Sequence, residues 1–480
     1  MIRTVRFILL VNALVEALKP EAPPIRQVQE KRFRQLLRHA YRHSPFYQRR
    51  FRGLDLDRCS LGELPPLGKK EMMANYDEVV TDRRVRRQTL ERFMADPANL
   101  GRRYLGRYIP SHTSGSQGQP ALIVQEPRGV ATTVALQMAR GNNLPKEWTT
   151  VFRRLLRRAR WALVTLRPDF YPSAVAFAYL PAGARRLMRL EWSSLFDPLE
   201  EMVARLNAFQ PEYLTGYANV LETLAREEEA GRLRLRATGT LLQLANISEP
   251  MAEETRLRLE AAFGVHASNQ YAMGECPHLT VGCPVGPGSH LNADLAILEV
   301  VDDQYRAVPP GTAGSKVLVT NLVNRIQPFI RYEIDDVVTM SPGPCPCGSP
   351  LPLIGPVPGR AQDRLWVEMG GRVRELPVYA FRAGLQHFTS IGEYQISQTG
   401  PNRYEVQVAP VPGQSLDSHT IRSRLLESLS EEGVASAIEL ETRVVADIQP
   451  DPRSGKLKRV RNLVEPPLVP LAATRERGQG

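Results

Sequence analysis

Apolar and polar residues alternate along this chain in blocks that outline its elements. From about residue 105 to 345, stretches with helical spacing such as "PLEEMVARLNAF" and "VLETLAREEEAGRL" take turns with short apolar runs. Those runs are "EYLTGY", "GTLLQLANI", "AILEVVD" and "SKVLVTNL". Apolar positions every three or four residues predict helices, and short apolar runs between them predict buried strands. Their alternation predicts an α/β core of sheets flanked by helices, with ligand sites at the loops leaving the strands. Ahead of this core, residues 25–52 are basic and helical in pattern. "LPPLGKKEMMANYDEVV" then supplies a proline-marked turn and another helix start.

The pattern breaks at residues 341–363, "SPGPCPCGSPLPLIGPVPGRAQD", where seven prolines and four glycines exclude a core element. Beyond it, "EYQISQ" and "RYEVQVAP" alternate around "TGPN" as a hairpin does. "DSHTIRSRLLESLSEEG" has an amphipathic helical spacing, and "AIELETRVVADI" returns as a strand. The expected organisation is a large N-terminal α/β domain over 1–360 and a small α+β domain over 361–466, joined by a hinge. Residues 467–480 read as a disordered tail.

Composition narrows the class. A chain of 480 residues, 42% hydrophobic, exceeds one compact domain and can bury a large core. Its net charge of +11 is local, because residues 140–190 hold eleven Arg or Lys against Glu147 and Asp169. Such a patch serves a phosphorylated ligand, a membrane surface or an acidic partner, or is simply a solvated helix face. No nucleic-acid motif with interleaved aromatics accompanies it, so nucleic acid is not expected as a partner. The apolar "VRFILLVNALVEAL" (5–18) is interrupted by Asn12 and Glu16, and no small-residue cleavage site follows. It reads as an amphipathic helix on a cytoplasmic protein, with peripheral membrane contact left open. Five cysteines do not make a disulfide framework in a chain this long. Four of them form close groups, Cys276 with Cys283 and Cys345 with Cys347, a usage that points to metal.

Five short stretches carry candidate chemistry. The first is "SHTSGSQGQP" (111–120), a small polar loop between two apolar runs. It is either a plain hairpin turn or a phosphate cradle, in which backbone N–H groups and hydroxyls converge on an anion. No Lys-Ser/Thr follows Gly118, so it is not a Walker loop. The second is "QYAMGE" (270–275), whose Glu275 suits Mg2+ shared with phosphate oxygens. The third, "PFIRYEIDD" (328–336), delivers paired acids at a strand end, where one can accept the hydroxyls of a ribose. The fourth, "GRAQD" (359–363), puts Arg360 within reach of a ribose or phosphate and Asp363 at a hinge. In the fifth, "DPRSGKLKRV" (451–460), the turn at Gly455 extends Lys456 toward a developing negative charge. Each alone also fits a solvated turn or tail.

In this order and spacing the five resemble the adenylate-forming superfamily of acyl-CoA synthetases and adenylation domains. The likeness is nearest to the phenylacetate–CoA ligase branch and its capsule-biosynthesis relatives, and it covers nearly the whole chain. "SPFYQRRF", "PEYLTGYANVLETLA", "ISEP", "IRYEIDD" and "CPCGSPLPLIGPVPGR" are similar to that branch in particular. The resemblance implies that a carboxylate and Mg-ATP give acyl-AMP and pyrophosphate. A rotated C-terminal domain then lets a thiol or amine take the acyl group. It implies that Thr113, Ser114, Gly115, Ser116 and Gly118 hold the triphosphate, and that Ser248, Glu249 and Pro250 lie along the adenine. Tyr271 would stack near the base, Glu275 bind Mg2+, Asp336 grip the ribose with Arg360 in support, and Asp363 be the pivot. Lys456 would bridge the substrate carboxylate and the α-phosphate.

The chain departs from the branch pattern at several positions. Gln117, Gly118 and Gln119 stand for Thr-Gly-Lys, and Ala272 for a glycine. Gly274 stands for a threonine or arginine, and Asp335 for a glycine or arginine. These departures motivate one alternative, a catalytically degenerate nucleotide-binding relative. The branch implies an aromatic or other hydrophobic acid, with Tyr217, Asn246 and Met273 as pocket candidates; Asn246 equally suits a backbone-capping role. Coenzyme A is the implied acceptor, with an acyl carrier protein or an amine as rivals. Cys283, His290, Cys345 and Cys347 have the composition of a closed Cys3His zinc site, and the family fold implies that they are neighbours. Cys276 or His278 could replace one of the four.

Overall fold

The computed structural model describes residues 2–113, 120–141, 158–165, 170–194, 197–358, 365–376, 378–385, 388, 390–431, 433–449 and 457–464. Two units divide the chain, Met1–Gly359 and Arg360–Gly480. The first unit opens with a helix over Ile2–Glu16 and a second over Ile25–His43. In the second, Phe33, Leu36, Leu37 and Ala40 recur at three- and four-residue spacing and are buried, so one stripe meets the core while Arg26, Arg38 and Arg42 are exposed. The first helix is amphipathic, as expected. Its Phe7 and Leu14 are buried in the main core, while Val5 and Leu9 are 49% and 60% exposed. Burying such side chains contributes about 1.5–3 kcal/mol each, so this helix is part of the folded unit. Arg140, 2% exposed at its side chain, clamps it by donating to the Leu14 carbonyl while paired with buried Asp294 at 2.8 Å. Among the described residues no helix is long and apolar enough to cross a membrane.

The strands sort into small sheets around one parallel sheet. β1 (Ile109–His112) and β2 (Leu122–Gln125) form an antiparallel hairpin with His112 opposite Leu122. β3 (Ala159–Thr165), β4 (Met188–Ser194), β5 (Tyr213–Gly216), β6 (Gln243–Ile247) and β7 (Ala267–Gln270) follow. They build a parallel sheet in the order β4-β3-β5-β6-β7. All four residues of β5 are buried, as a strand covered on both faces requires. Leu221, Leu224 and Ala225, from the helix Ala218–Glu229, pack in the same core as Leu214 and Leu244.

Past β7 the α/β alternation stops. β8 (Thr280–Gly282) and β9 (Ser289–Leu291) make a hairpin that β13 (Leu353–Ile354) joins. β10 (Ala296–Val301), β11 (Lys316–Asn321) and β12 (Tyr332–Ile334) make an antiparallel sheet of their own. Thus "AILEVVD" and "SKVLVTNL" are strands, but they pair with each other outside the parallel sheet. The physical reason is the connection: Asp302–Ser315 contains no crossover helix, and a parallel return needs one.

The second unit has a separate core. β14 (Leu365–Met369) and β15 (Arg372–Leu376) form a hairpin. β16 (Ile391–Gly400), β17 (Arg403–Pro410), β18 (Glu439–Val444) and β19 (Val460–Asn462) form a sheet in the order β18-β17-β16-β19. Ile421, Leu425 and Leu429 of the helix Ser418–Glu431 cluster with Ile396, Tyr404, Val406 and Val408. The alternating and helical patterns predicted for this stretch fall on these elements.

Candidate functional site

Thr113 closes the hairpin β1–β2. Its backbone N–H donates to the Ala121 carbonyl at 3.0 Å, and its Oγ1 accepts from the Ala121 N–H at 2.9 Å. These two bonds continue the β1–β2 pairing past His112, as the hairpin reading expects. Ser114, Gly115, Ser116 and Gly118 lie outside the described residues, as do Arg360, Asp363 and Lys456.

The 271–275 turn leaves the carboxyl end of β7 and meets that hairpin. A Cβ on Gly274 would stand 2.9 Å from Ile123 Cδ1, 3.1 Å from Pro172 Cγ and 3.3 Å from Thr113 Cγ2. A larger residue here would have to displace these neighbours, so the departure at this position goes with a tight approach of the two loops. Glu275 is buried and its carbonyl accepts from Asn321 Nδ2 at 2.7 Å. The Tyr332 phenol faces its carboxylate. Burial first, and the Glu275 charge second, raise that phenol far above its usual value, so it remains a donor. From the same turn, the Tyr271 hydroxyl donates to Asp336 Oδ2 at 2.9 Å. β12 thus touches the turn twice, through Tyr332 at its start and Asp336 just beyond its end. Arg331, bonded to Glu299 of β10 at 2.9 and 3.0 Å, anchors the strand.

β5 and β6 deliver their own residues at the same carboxyl end of the sheet, where open α/β sheets bind ligands. Ser248, after β6, holds φ +65, a strained left-handed conformation for a residue with a side chain. Glu249 Oε2 accepts from the Asn219 N–H at 3.1 Å, capping the helix that follows β5 and tying the two strand ends together. Asn246 is fully buried; its Nδ2 donates to the Glu249 carbonyl at 2.7 Å and to Asn269 Oδ1 at 2.8 Å. Its Nδ2 thus braces the strand ends, while its buried Oδ1 has no hydrogen-bond partner among the described residues. Tyr217 is likewise buried in the core, next to the helix it precedes, whereas Met273 is half-buried.

A second cluster sits on the three-stranded sheet. Cys283 follows β8, His290 lies in β9 opposite Val281 and Leu353, and Cys345 and Cys347 are in the loop before β13. Their ligand atoms all lie within 4.8 Å of one another, with Cys283 Sγ 3.6 Å from Cys345 Sγ and His290 Nε2 3.2 Å from Cys347 Sγ. His290 Nδ1 stands 3.1 Å from the Leu351 carbonyl, which can only accept. The ring proton is therefore on Nδ1 and the Nε2 lone pair faces the thiols. Burial pushes the thiols of Cys283 and Cys347 up, the latter to about 11. Three sulfurs and one imidazole nitrogen at this spacing fit a tetrahedral ion such as Zn2+. Cys276 and His278, weighed as replacements, are buried as a separate pair 3.6 Å apart. Burial brings the His278 ring down to about 4.

Sequence reasoning missed Tyr332 and Asn321, although Tyr332 lies inside the quoted "IRYEIDD". The motif gives order along the chain but not which side chains face the neighbouring turn.

No family model matches the chain. It is 30% identical to a phenylacetate-coenzyme A ligase of Thermus thermophilus over 171 residues, 35% of this chain and 38% of that protein. The match therefore spans less than half of that relative's length. Against a phenylacetate-coenzyme A ligase of Pseudomonas putida it is 23% identical over 362 residues, 71% and 72% of the two chains. Among solved structures, 2-hydroxyisobutyryl-CoA ligase in the postadenylation state superposes with a TM-score of 0.66, at 19% identity over 91% of this chain and 88% of that one. The chain has the fold of the adenylate-forming CoA ligases, and its sequence resemblance lies with the phenylacetate–CoA ligase branch.

Proposed function

We propose that the chain is an AMP-forming carboxylate–CoA ligase. It activates a hydrophobic or aromatic acid to acyl-AMP with release of pyrophosphate, then passes the acyl group to coenzyme A. One observation carries this reading: the Thr113 hairpin, the 271–275 turn and Asp336 converge beside the carboxyl ends of β5, β6 and β7.

The roles follow from what each group can do. Backbone N–H groups and hydroxyls of residues 113–118 cradle the triphosphate. The strained Ser248 turn, with Glu249 and Pro250, forms the wall along the adenine. Tyr271 packs near the base and orients Asp336, which accepts the ribose hydroxyls with Arg360 in support. Glu275, its carboxylate beside the Tyr332 phenol, would hold Mg2+, whose chemistry there would be to neutralise phosphate charge. Lys456 supplies a cation between the substrate carboxylate and the α-phosphate, where negative charge builds up in the in-line displacement. Asp363 is the pivot between the two half-reactions. Tyr217, Asn246 and Met273 are the candidates for the acyl pocket. Cys283, His290, Cys345 and Cys347 hold a structural Zn2+ with no open position, which braces loops and takes no part in the chemistry.

The test is ATP–pyrophosphate exchange with Mg2+ and a panel of aryl, arylacetic and fatty acids. Acid-dependent exchange is expected, and Lys456→Ala abolishes it while affecting thioester formation from supplied acyl-AMP less. ATP binding without exchange across the panel would replace this reading with a degenerate, non-catalytic nucleotide binder.

A further inference from the structure

At the amino end of β3 and β4 lies a cleft of about 450 Å3, lined by Arg158, Arg185 and Arg189 with Phe177, Met188 and Leu190. β3 is seven residues long, so the cleft is about 23 Å along the strand from the carboxyl ends that hold the candidate site. The cleft opens broadly to solvent rather than enclosing a ligand.

The charge in this cleft is unbalanced. Arg158, Arg185 and Arg189 are exposed, and none of them pairs with a carboxylate among the described residues. Two of the guanidinium groups are instead fixed by backbone carbonyls. Arg158 Nη2 donates to the carbonyls of Arg185 and Met188, both at 3.4 Å, and Arg185 Nη2 donates to the Ala178 carbonyl at 2.7 Å. Each guanidinium has five donors, so most remain for a ligand. Arg158 also holds φ +55, a left-handed conformation that is strained for arginine and common at binding sites.

The apolar side of the cleft is equally defined. The Phe177 ring lies 6.2 Å from Trp161 and 6.3 Å from Trp192, so the wall belongs to an aromatic cluster. Among the described strands, β4 lies at the edge of the parallel sheet. We propose that the cleft binds a phosphorylated small molecule with an aromatic or other apolar body. The phosphate would lie among the three arginines, whose forked donors match it, and the body would lie against Phe177, Met188 and Leu190.

Tryptophan fluorescence of the full chain, titrated with phenyl phosphate, tests this because Trp161 and Trp192 flank Phe177. A saturable change is expected, weaker with inorganic phosphate and absent with benzyl alcohol. The double variant Arg185→Glu/Arg189→Glu should bind phenyl phosphate at least tenfold more weakly, as loss of charge-assisted contacts predicts. Circular dichroism serves as the folding control, so a failed ligase assay leaves this test intact. Coenzyme A as competitor separates two sources of the same chemistry. Displacement identifies the nucleotide end of coenzyme A as the occupant, and no displacement identifies a separate phosphorylated metabolite. No saturable response, or equal affinity in the double variant, overturns the proposal.

Discussion

The Tyr271 hydroxyl donates to Asp336 Oδ2 at 2.9 Å. That bond orients the carboxylate proposed to meet the ribose. Tyr271→Phe keeps the ring and removes only that donor. A net hydrogen bond to a charged group is worth about 1.5–3 kcal/mol, and part of that returns when water replaces the phenol. KM for ATP is therefore expected to rise about five- to tenfold in the exchange assay, with kcat changed less. An unchanged KM would remove Asp336 from the nucleotide site. The same neighbourhood shows what a sequence can and cannot reveal about single residues. Tyr271, Glu275 and Asp336 were legible because their motifs combine unusual residue types in a fixed order. Tyr332 was not, because a tyrosine on a strand reads as core until the strand's register against the 271–275 turn is known. Asn246 was legible only as a choice between two roles, and its contacts to Glu249 and Asn269 engage the Nδ2 end alone.

Among the elements, the β8–β9 hairpin shows how local backbone geometry sets up the thiol cluster. Gly288 makes it feasible, because a Cβ there would stand 2.4 Å from the Ile354 carbonyl oxygen. That approach lets β9 pair with β13 and brings His290 beside the Cys345–Cys347 loop. A metal bound only in the folded state adds its binding free energy to stability. Protein purified without chelator should contain about one Zn2+ per chain, read by elemental analysis. Chelation, or Cys283→Ser, should lower the thermal midpoint. Each ~1 kcal/mol lost shifts it by about 2–4 °C in a domain of 150–250 residues and by less in a larger one. Metal-free protein with an unchanged midpoint would reduce the cluster to buried thiols. Elements themselves were readable where periodicity is strong, as in the helices Ile25–His43 and Ser418–Glu431. Strand partners were not. Apolar runs such as β10 and β11 look alike whether they join a parallel sheet or pair with each other, and only the missing crossover helix decides.

At the scale of the molecule, the residues of the proposed site fall in two units with separate cores. The Thr113 loop, Glu275 and Asp336 belong to the first, and Lys456 to the second, four residues before β19. The second unit contains the whole of its own hydrophobic cluster, from Leu365 and Phe381 to Ile421 and Leu440. A unit of about a hundred residues with such a core reaches ordinary stability, about 5–15 kcal/mol. Residues 360–466 expressed alone should therefore fold and unfold cooperatively. The fragment contains one tryptophan, Trp366, which is buried in β14 of the β14–β15 hairpin, so its emission should shift red on denaturation. That shift should coincide with the far-UV dichroism transition, as two-state unfolding requires. The same fragment should show no exchange activity, since the nucleotide-binding groups remain in the other unit. A broad, non-coincident transition would mean that this core depends on the first unit for its stability, and the catalytic lysine would then be on an element that cannot act as an independent body.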